Sequence, residues 1–296
     1  HSVGELVRDA DAAMYQAKRA GRNTYRYYTG SMTEAAQYRL ALDNRLRRAL
    51  ERNEFQLWYQ PLYRLSDQRL VGLEALVRLD QPDLPPVGPA IFIPMLEETG
   101  QIIALGDWVT REACRQGRAW LDAGLDFGRI AINLSPVEVR RGGTDERLRA
   151  ALAASGLPPD RLELEITESG LMEQGEHAEG FLRSLQAQGV QLAIDDFGTG
   201  YSSLAYLKRF PVGKLKIDRS FINDLPGDAN DAQLVSNMVT LGRSMGISVL
   251  AEGVESSEQL AFLTALGCEA VQGYLFSPPR PAAEAAAWLP RCDAPY

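Results

Sequence analysis

The chain has 296 residues, 45% hydrophobic and 24% charged, with a formal net charge of −8. That length buries a core large enough for one big domain, or for one and a fragment, and the acidic balance excludes a polymeric nucleic-acid binder, which needs a basic face. A small nucleotide ligand stays admissible, because bound cations invert the local charge.

Only His1 and His177 are present, and Cys114, Cys268 and Cys292 stand far apart. A histidine-based zinc hydrolase and a Ser-His-Asp triad are thereby excluded, and the cysteines read as reduced thiols of a cytosolic protein. His177, in EQGEHAEGFLRSL, reads as a solvated helix residue. No segment has the apolar length of a membrane span and no signal-peptide pattern opens the chain. The expected localisation is cytoplasmic, without membrane contact by this segment, while an anchor upstream in a longer parent protein stays open.

In chain order, VGELVRDADAAMYQAKRAGRNTYRYY predicts an amphipathic helix, a glycine stop at Gly21 and a short strand, too little to fold alone. TEAAQYRLALDNRLRRALERNE follows as a connecting helix with Leu42, Leu46 and Leu50 at helical spacing. From Phe55 two strands, FQLWYQPLYRL and RLVGLEALVRL, are separated only by Ser66-Asp67-Gln68. Parallel neighbours need a crossover of about a dozen residues or more, so this pair must be antiparallel. Helices and strands then alternate. The predicted strands are RIAINLS, RLELEITES, VQLAIDDF, KLKID, ISVLAEG and EAVQGYLF, with the loop GTGYSS and a short helix after the third of these. About eight strands in this alternation imply an α/β fold, a modified TIM (β/α)8 barrel with an antiparallel first strand. Its chemistry belongs at the carboxyl ends of the strands.

Seven acidic or amide side chains fall near those ends: Glu74, Asn133, Glu165, Asp195, Asp196, Glu252 and, more loosely, Gln272. Hard oxygen ligands from many strand ends suit Mg²⁺ or Mn²⁺, and two such ions activate a water and clamp a phosphodiester. The adjacent Asp195 and Asp196 repel each other, so their burial needs a cation; as loop or capping residues they would not. Gly198 and Gly200 let the following loop turn sharply. In LELEITES, period-two alternation sets Glu163 and Glu165 on one face, opposite Leu162, Leu164 and Ile166. An inward Glu165 needs a metal or a cationic partner, and Glu163 sits lower in the barrel or pairs with a base. Lys216, in LKID, either orients a nucleophile or makes a structural ion pair. Arg78 forks onto a phosphate or is a surface arginine. Asn133 is a poor strand former, better explained as a neutral oxygen ligand than by packing. Arg141-Gly142-Gly143-Thr144-Asp145-Glu146, despite its superficial likeness to a diguanylate cyclase signature, reads as a turn and helix cap.

Glu74-Ala75-Leu76-Val77-Arg78, Asn133-Leu134-Ser135, Glu165-Ile166-Thr167-Glu168, DDFGTGYSSL from Asp195, Lys216-Ile217-Asp218, Ala251-Glu252-Gly253-Val254-Glu255 and Gln272-Gly273-Tyr274 resemble the EAL-domain cyclic di-GMP phosphodiesterases, in the family's order from about Arg52 to Trp288. DADAAMYQAKRAGRNTYRYY resembles the last helix and strand of a GGDEF domain, without its catalytic signature. The resemblance implies three parts: residues 1–28 as a GGDEF remnant, 29–51 as a connecting helix and 52–296 as the EAL domain of a GGDEF–EAL tandem protein. It implies that Glu74, Asn133, Glu165 and Asp195 hold one Mg²⁺ or Mn²⁺, and that Asp195 bridges to a second held also by Asp196 and Glu252. Lys216 and Gln272 would serve the water and the scissile phosphate, and Glu255 would support them. Arg78, Leu76 and Gln272 would contact substrate, and Glu168 would anchor the DDFGTGYSSL loop, through which the family couples dimerisation to activity. The implied reaction is hydrolysis of cyclic di-GMP to linear pGpG by a homodimer, with calcium binding but working poorly. The alternative is a catalytically silent cyclic di-GMP receptor, although its usual mark, lost metal ligands, is missing here.

Overall fold

A computed structural model describes residues 2–19, 23–81, 85–173, 176–200 and 207–291. The glycine stop at Gly21, part of the proline-rich lead-in, the loop from Tyr201 with its short helix, and Cys292 lie outside the described residues, as does the side chain of His177.

Eight strands close a barrel. β1 (Phe55–Arg64) and β2 (Leu70–Leu79) pair antiparallel, Gln60 opposite Glu74. From β2 the sheet runs in parallel through β3 (Arg129–Leu134), β4 (Leu162–Thr167), β5 (Gln191–Phe197), β6 (Lys214–Ile217), β7 (Ser248–Ala251) and β8 (Ala270–Val271). β8 then pairs antiparallel with β1 and closes the ring, and a ninth short strand, β9 (Arg280–Pro281), adds to the outer part of β1. The five-residue link from β1 to β2 sets the irregularity, since it is too short for a crossover. The last parallel strand is shorter than EAVQGYLF predicts. After Val271 the backbone leaves the ladder to bond the β7 exit instead, with Val254 N–H donating to the Gln272 carbonyl and Leu275 N–H to the Val254 carbonyl.

Period-two alternation decides what fills the barrel and what covers it. Leu162, Leu164, Ile166, Ile130, Ile132, Leu192 and Ile194 are buried in the main apolar cluster, each side chain contributing about 1.5–3 kcal/mol. The opposite face of the same strands carries Glu163, Glu165 and Asn133 inward. The helices that follow the strands are α3 (Pro89–Thr99), α4 (Ile102–Asp122), α5 (Pro136–Arg141), α6 (Thr144–Ser155), α7 (Glu168–Met172), α8 (Glu176–Gln186), α9 (Ala229–Met245), α10 (Ser257–Leu266) and α11 (Ala282–Ala285). Their starts are written locally: Ser256 with Gln259 forms a capping box on α10, and Asp228 accepts from Asn230 N–H and Asp231 N–H on α9. Gly142 and Gly143 join α5 to α6 with positive φ, the turn and cap expected there. Among the described residues no helix is long and apolar enough to cross a membrane.

Before the barrel come α1 (Val3–Arg19) and α2 (Gly30–Arg52). Leu42, Leu46 and Ala49 of α2 are buried in the main cluster and Leu50 packs against it. Arg39 pairs with Glu98, and Gln101 donates to Asp43 at 2.9 Å, so α2 is docked on α3 and the start of α4. Among the described residues the short strand expected near Tyr25 is not formed, and residues 24–29 pair with no ladder. A strand needs neighbours to satisfy its backbone, and a β-prone sequence without them stays irregular.

Glu138 completes a capping box with Ser135 at the start of α5, accepting from Ser135 N–H at 3.1 Å, and is buried. Burial pushes its carboxyl from 4.5 up to about 7, with Asp107 and Glu97 adding to the rise and the Ser135 amide and Arg147 opposing it. The folded protein therefore holds this proton more tightly than the unfolded chain. The stability it contributes is full below about pH 4.5 and is lost as pH rises through 7, in all about 3 kcal/mol. Glu138→Gln keeps the capping geometry without the charge. Urea unfolding of both proteins from pH 4.5 to 8 should show the wild type losing that much relative to the variant; parallel curves would refute it.

Candidate active site

The site is built at the carboxyl mouth of the barrel by interior positions of β2 to β8. Its centre is Lys216, on β6, which is wholly buried. Its Nζ lies 2.6 Å from Glu165 Oε2, 2.6 Å from Glu252 Oε1, 3.1 Å from Asp195 Oδ1 and 3.8 Å from Glu74 Oε1. Strand pairing brings the rest together: Asn133 is level with Glu165, and its Nδ2 donates to Glu74 Oε1 at 2.8 Å. Gln272, just past β8, donates through Nε2 to Glu74 Oε2 at 2.6 Å and to Gln60 Oε1 at 2.8 Å. Gln60 in turn donates to the Ser277 carbonyl.

Asp195 and Asp196 both belong here because the strand breaks its own alternation. The β5–β6 register slips between Ile194 and Phe197, and Asp196 has φ 52°, in the left-handed region that Asp tolerates better than most residues. Without that kink the second carboxyl would face the helices. Glu163 sits one layer lower and pairs with Lys214 at 2.5 Å, which answers the question its position raised.

Four carboxyl groups surround the Lys216 ammonium, with Asp196 close by, and their electrostatics follow from that. Burial pushes Glu165 well above the ordinary carboxylate range and Glu252 up to about 8, with Lys216 opposing both rises. Burial and the neighbouring Asp195 and Asp218 raise Asp196. Burial alone would raise Glu74 too, but Lys216 and the amides of Gln272 and Asn133 hold it below the usual value. For Lys216 burial favours the neutral amine, yet the surrounding carboxylates keep it firmly protonated.

Among the described residues the carboxylates do not converge as a ligand set on one point; they converge on the Lys216 ammonium, which takes the role of a local cation. The donor chemistry nevertheless fits divalent ions. Glu165 Oε1 and Gln272 Oε1 are buried acceptors without a hydrogen-bond partner among the described residues, and Asp195 Oδ1 has only the Lys216 ammonium at 3.1 Å; such atoms are costly unless something fills their lone pairs. All three are hard oxygens, suited to Mg²⁺ or Mn²⁺.

A cavity of about 250 Å³ opens over this cluster, reaching Leu76, Arg219, Glu255 and Tyr274 besides Glu74, Asp195, Glu252 and Gln272. Glu255 is exposed at its rim, its N–H donating to Gln259 Oε1 at 2.7 Å. Arg78 lies in a neighbouring, mostly apolar cavity of about 280 Å³ that shares Leu76. Its guanidinium rests over the Trp58 ring, 5.9 Å from the centroid, and donates to the Val77 carbonyl. Glu168 lies apart from the metal-site candidates; its Oε2 accepts from Gly198 N–H at 2.9 Å, holding the start of the loop that leaves Asp196.

Three residues of the site escape the sequence reading. Gln60 is a buried amide in an apolar strand, and its position opposite Glu74 follows once the β1–β2 register is known. Arg219 and Tyr274 stand on irregular backbone after strands β6 and β8, where no periodicity marks them. A larger cavity, about 440 Å³, opens at the opposite mouth, but its cations are already engaged: Lys214 by Glu163, Arg64 by Asp67 and Arg129 by the Asp160 carbonyl.

The sequence profile of the EAL domain matches residues 43–279. The chain is 47% identical over 278 residues to the bifunctional diguanylate cyclase/cyclic di-GMP phosphodiesterase MucR of Pseudomonas aeruginosa, covering 94% of the chain and 41% of that protein. It is 42% identical over 279 residues to the cyclic di-GMP phosphodiesterase NbdA of the same organism, covering 94% and 36%. It thus spans about two fifths of the length of these curated relatives. The solved PaMucR phosphodiesterase in complex with c-di-GMP superposes with a TM-score of 0.80 at 46% identity, over 83% of this chain and 99% of that one.

Proposed function

The chain belongs to the EAL-domain family, and on that premise we propose that it hydrolyses cyclic di-GMP to linear pGpG with two divalent ions. The observation that carries this reading is the pair of unfilled buried acceptors, Glu165 Oε1 and Gln272 Oε1, beside Asp195 Oδ1, in a carboxylate cluster held around the Lys216 ammonium. Glu74, Asn133, Glu165 and Asp195 are assigned to one Mg²⁺ or Mn²⁺, and Asp195, Asp196 and Glu252 to the other. When bound, these ions supply a lowered pKa for water and compensation of charge on the phosphate.

The protein's own groups do the positioning. Lys216, fixed by Glu165 and Glu252, holds a proton and a positive charge where the scissile phosphate must sit, without a side-chain rearrangement at the moment of reaction. Gln272 is tied through Nε2 to Glu74 and Gln60, which leaves Oε1 aimed at the reacting groups. Leu76 and Arg78 line the approach, Arg78 as a fork for a phosphate oxygen. Glu255 backs the site from its rim. Water adds across one P–O bond of the ring, leaving a 5′-phosphate and a 3′-hydroxyl.

Residues 1–28 are assigned as the end of a GGDEF domain, 29–51 as a connecting helix and 52–296 as the phosphodiesterase domain. By the same resemblance the functional unit is a homodimer, with Glu168 coupling the loop after Asp196 to the partner. Cytoplasmic placement suits the nucleotide and the free, buried Cys114 and Cys268. Incubation with cyclic di-GMP and Mg²⁺ or Mn²⁺, products resolved by chromatography, should give pGpG that EDTA abolishes. Binding without turnover would make the domain a receptor.

A further inference from the structure

Two side chains on the wall of the 250 Å³ cavity have no part in the roles assigned above. Arg219 opens the 3₁₀ turn Arg219–Phe221 after β6, is exposed, and makes no ion pair among the described residues. That is unusual beside Glu252, Glu255 and Asp195, which line the same cavity. Tyr274 is a large aromatic residue 63% exposed. An exposed aromatic at the mouth of an acidic polar site gains nothing from folding and has a face to offer.

Both are mounted on one rigid support. Gly253 has φ 70°, and a Cβ there would stand 2.5 Å from Arg219 Cβ, so the turn after β7 packs directly on the arginine stem. Tyr274 sits between two backbone hydrogen bonds to Val254, from Val254 N–H to the Gln272 carbonyl and from Leu275 N–H to the Val254 carbonyl. A Cβ on Gly273 would fall 2.0 Å from the Val254 oxygen, a contact only glycine permits. The Gly253–Val254 turn therefore fixes the stem of Arg219 and the backbone of Tyr274, leaving the guanidinium and the ring to act on a ligand.

We propose that Arg219 and Tyr274 read a guanine base of the bound nucleotide, Tyr274 stacking on its face and Arg219 forking onto O6 and N7. This rests on the site being a cyclic di-GMP phosphodiesterase. The chemistry is selective: guanine presents two acceptors on that edge, whereas adenine replaces one with an amino donor, which repels a guanidinium. The stack itself accepts any base, so the arginine carries the discrimination. With the phosphates assigned to the ions, Lys216 and Arg78, the base is the part of the ligand left for this wall.

The test compares Arg219→Gln, Arg219→Lys, Tyr274→Ala and Tyr274→Phe with the wild type. Binding of cyclic di-GMP and cyclic di-AMP is titrated in Ca²⁺, and turnover is measured in Mg²⁺. The Mn²⁺-induced thermal shift serves as a control on the carboxylate cluster. Arg219→Gln and Tyr274→Ala should weaken cyclic di-GMP binding and raise KM by about tenfold to a hundredfold, with kcat and the Mn²⁺ shift unchanged. Tyr274→Phe should behave as wild type, Arg219→Lys should not rescue, and Arg219→Gln should bring the two nucleotides closer in affinity. Unchanged binding in both loss variants, or loss of the Mn²⁺ shift along with binding, overturns the proposal. Guanine-selective binding by a wild type that makes no pGpG would instead overturn the phosphodiesterase reading and leave this one standing.

Discussion

Glu74→Ala or Asp195→Asn should lower metal-dependent turnover of cyclic di-GMP by about a thousandfold or more while the protein stays folded. Each removes one assigned metal ligand, and a Lewis-acid contribution of several kcal/mol converts to that factor at about 1.4 kcal/mol per tenfold. Folding should survive because Glu74 is held by two amides, Asn133 and Gln272, as well as by charge, and these amides can turn to other partners or to water in the cavity. Asp195 lies at the strand end, 8% exposed, where an asparagine fits the same space. The pair of readouts is single-turnover kinetics and circular dichroism. A variant that keeps turnover within tenfold removes its residue from the ligand set.

Lys216→Met should have its largest effect on the protein without added metal. Among the described residues the lysine is the cation that pairs with Glu165, Glu252, Asp195 and Glu74, with two contacts of 2.6 Å. Removing one partner of a buried ion pair costs about 3–5 kcal/mol, because the other charge is left uncompensated. A methionine fills the volume, so the loss is electrostatic rather than a cavity. Saturating Mn²⁺ should restore a substantial part of the stability, since the ion takes over neutralisation of the same oxygens, whereas activity should stay low. Equilibrium unfolding with EDTA and with Mn²⁺ separates the two. Equal stability of variant and wild type in EDTA would mean the carboxyls are not charged around the lysine.

How much of this was legible in the chain depended on which physical signal was local. Glu165, Asp195, Glu252 and Lys216 were found because a charged residue ending an apolar strand calls for a partner, and the three carboxyl groups lie within 4 Å of the Lys216 nitrogen. The antiparallel β1 followed from a link too short for a crossover. The lower pair Glu163–Lys214 was half visible: alternation gave its face, but only the β4–β5–β6 register could name the partner. Gln60, Arg219 and Tyr274 were missed because their places depend on pairing across distant segments. The strand expected near Tyr25 does not form among the described residues for the converse reason, since local β-propensity needs an adjacent ladder to act on.

Because β1 runs against the other strands, its first residues lie at the mouth where the others end: Phe55 is level with Leu79. The incoming helix α2 therefore hands the chain to the barrel on the rim that bears the carboxylates, and Arg45, Gln81 and Glu54 lash that entry to the end of β2. In an ordinary eightfold barrel a pull on the incoming chain would be felt first at the floor and would reach the mouth only through the length of a strand. Here the rope is tied at the top. A turn or tug of α2 reaches Gln60 and Glu74, facing each other a few residues along the same hairpin, without crossing the barrel from its floor.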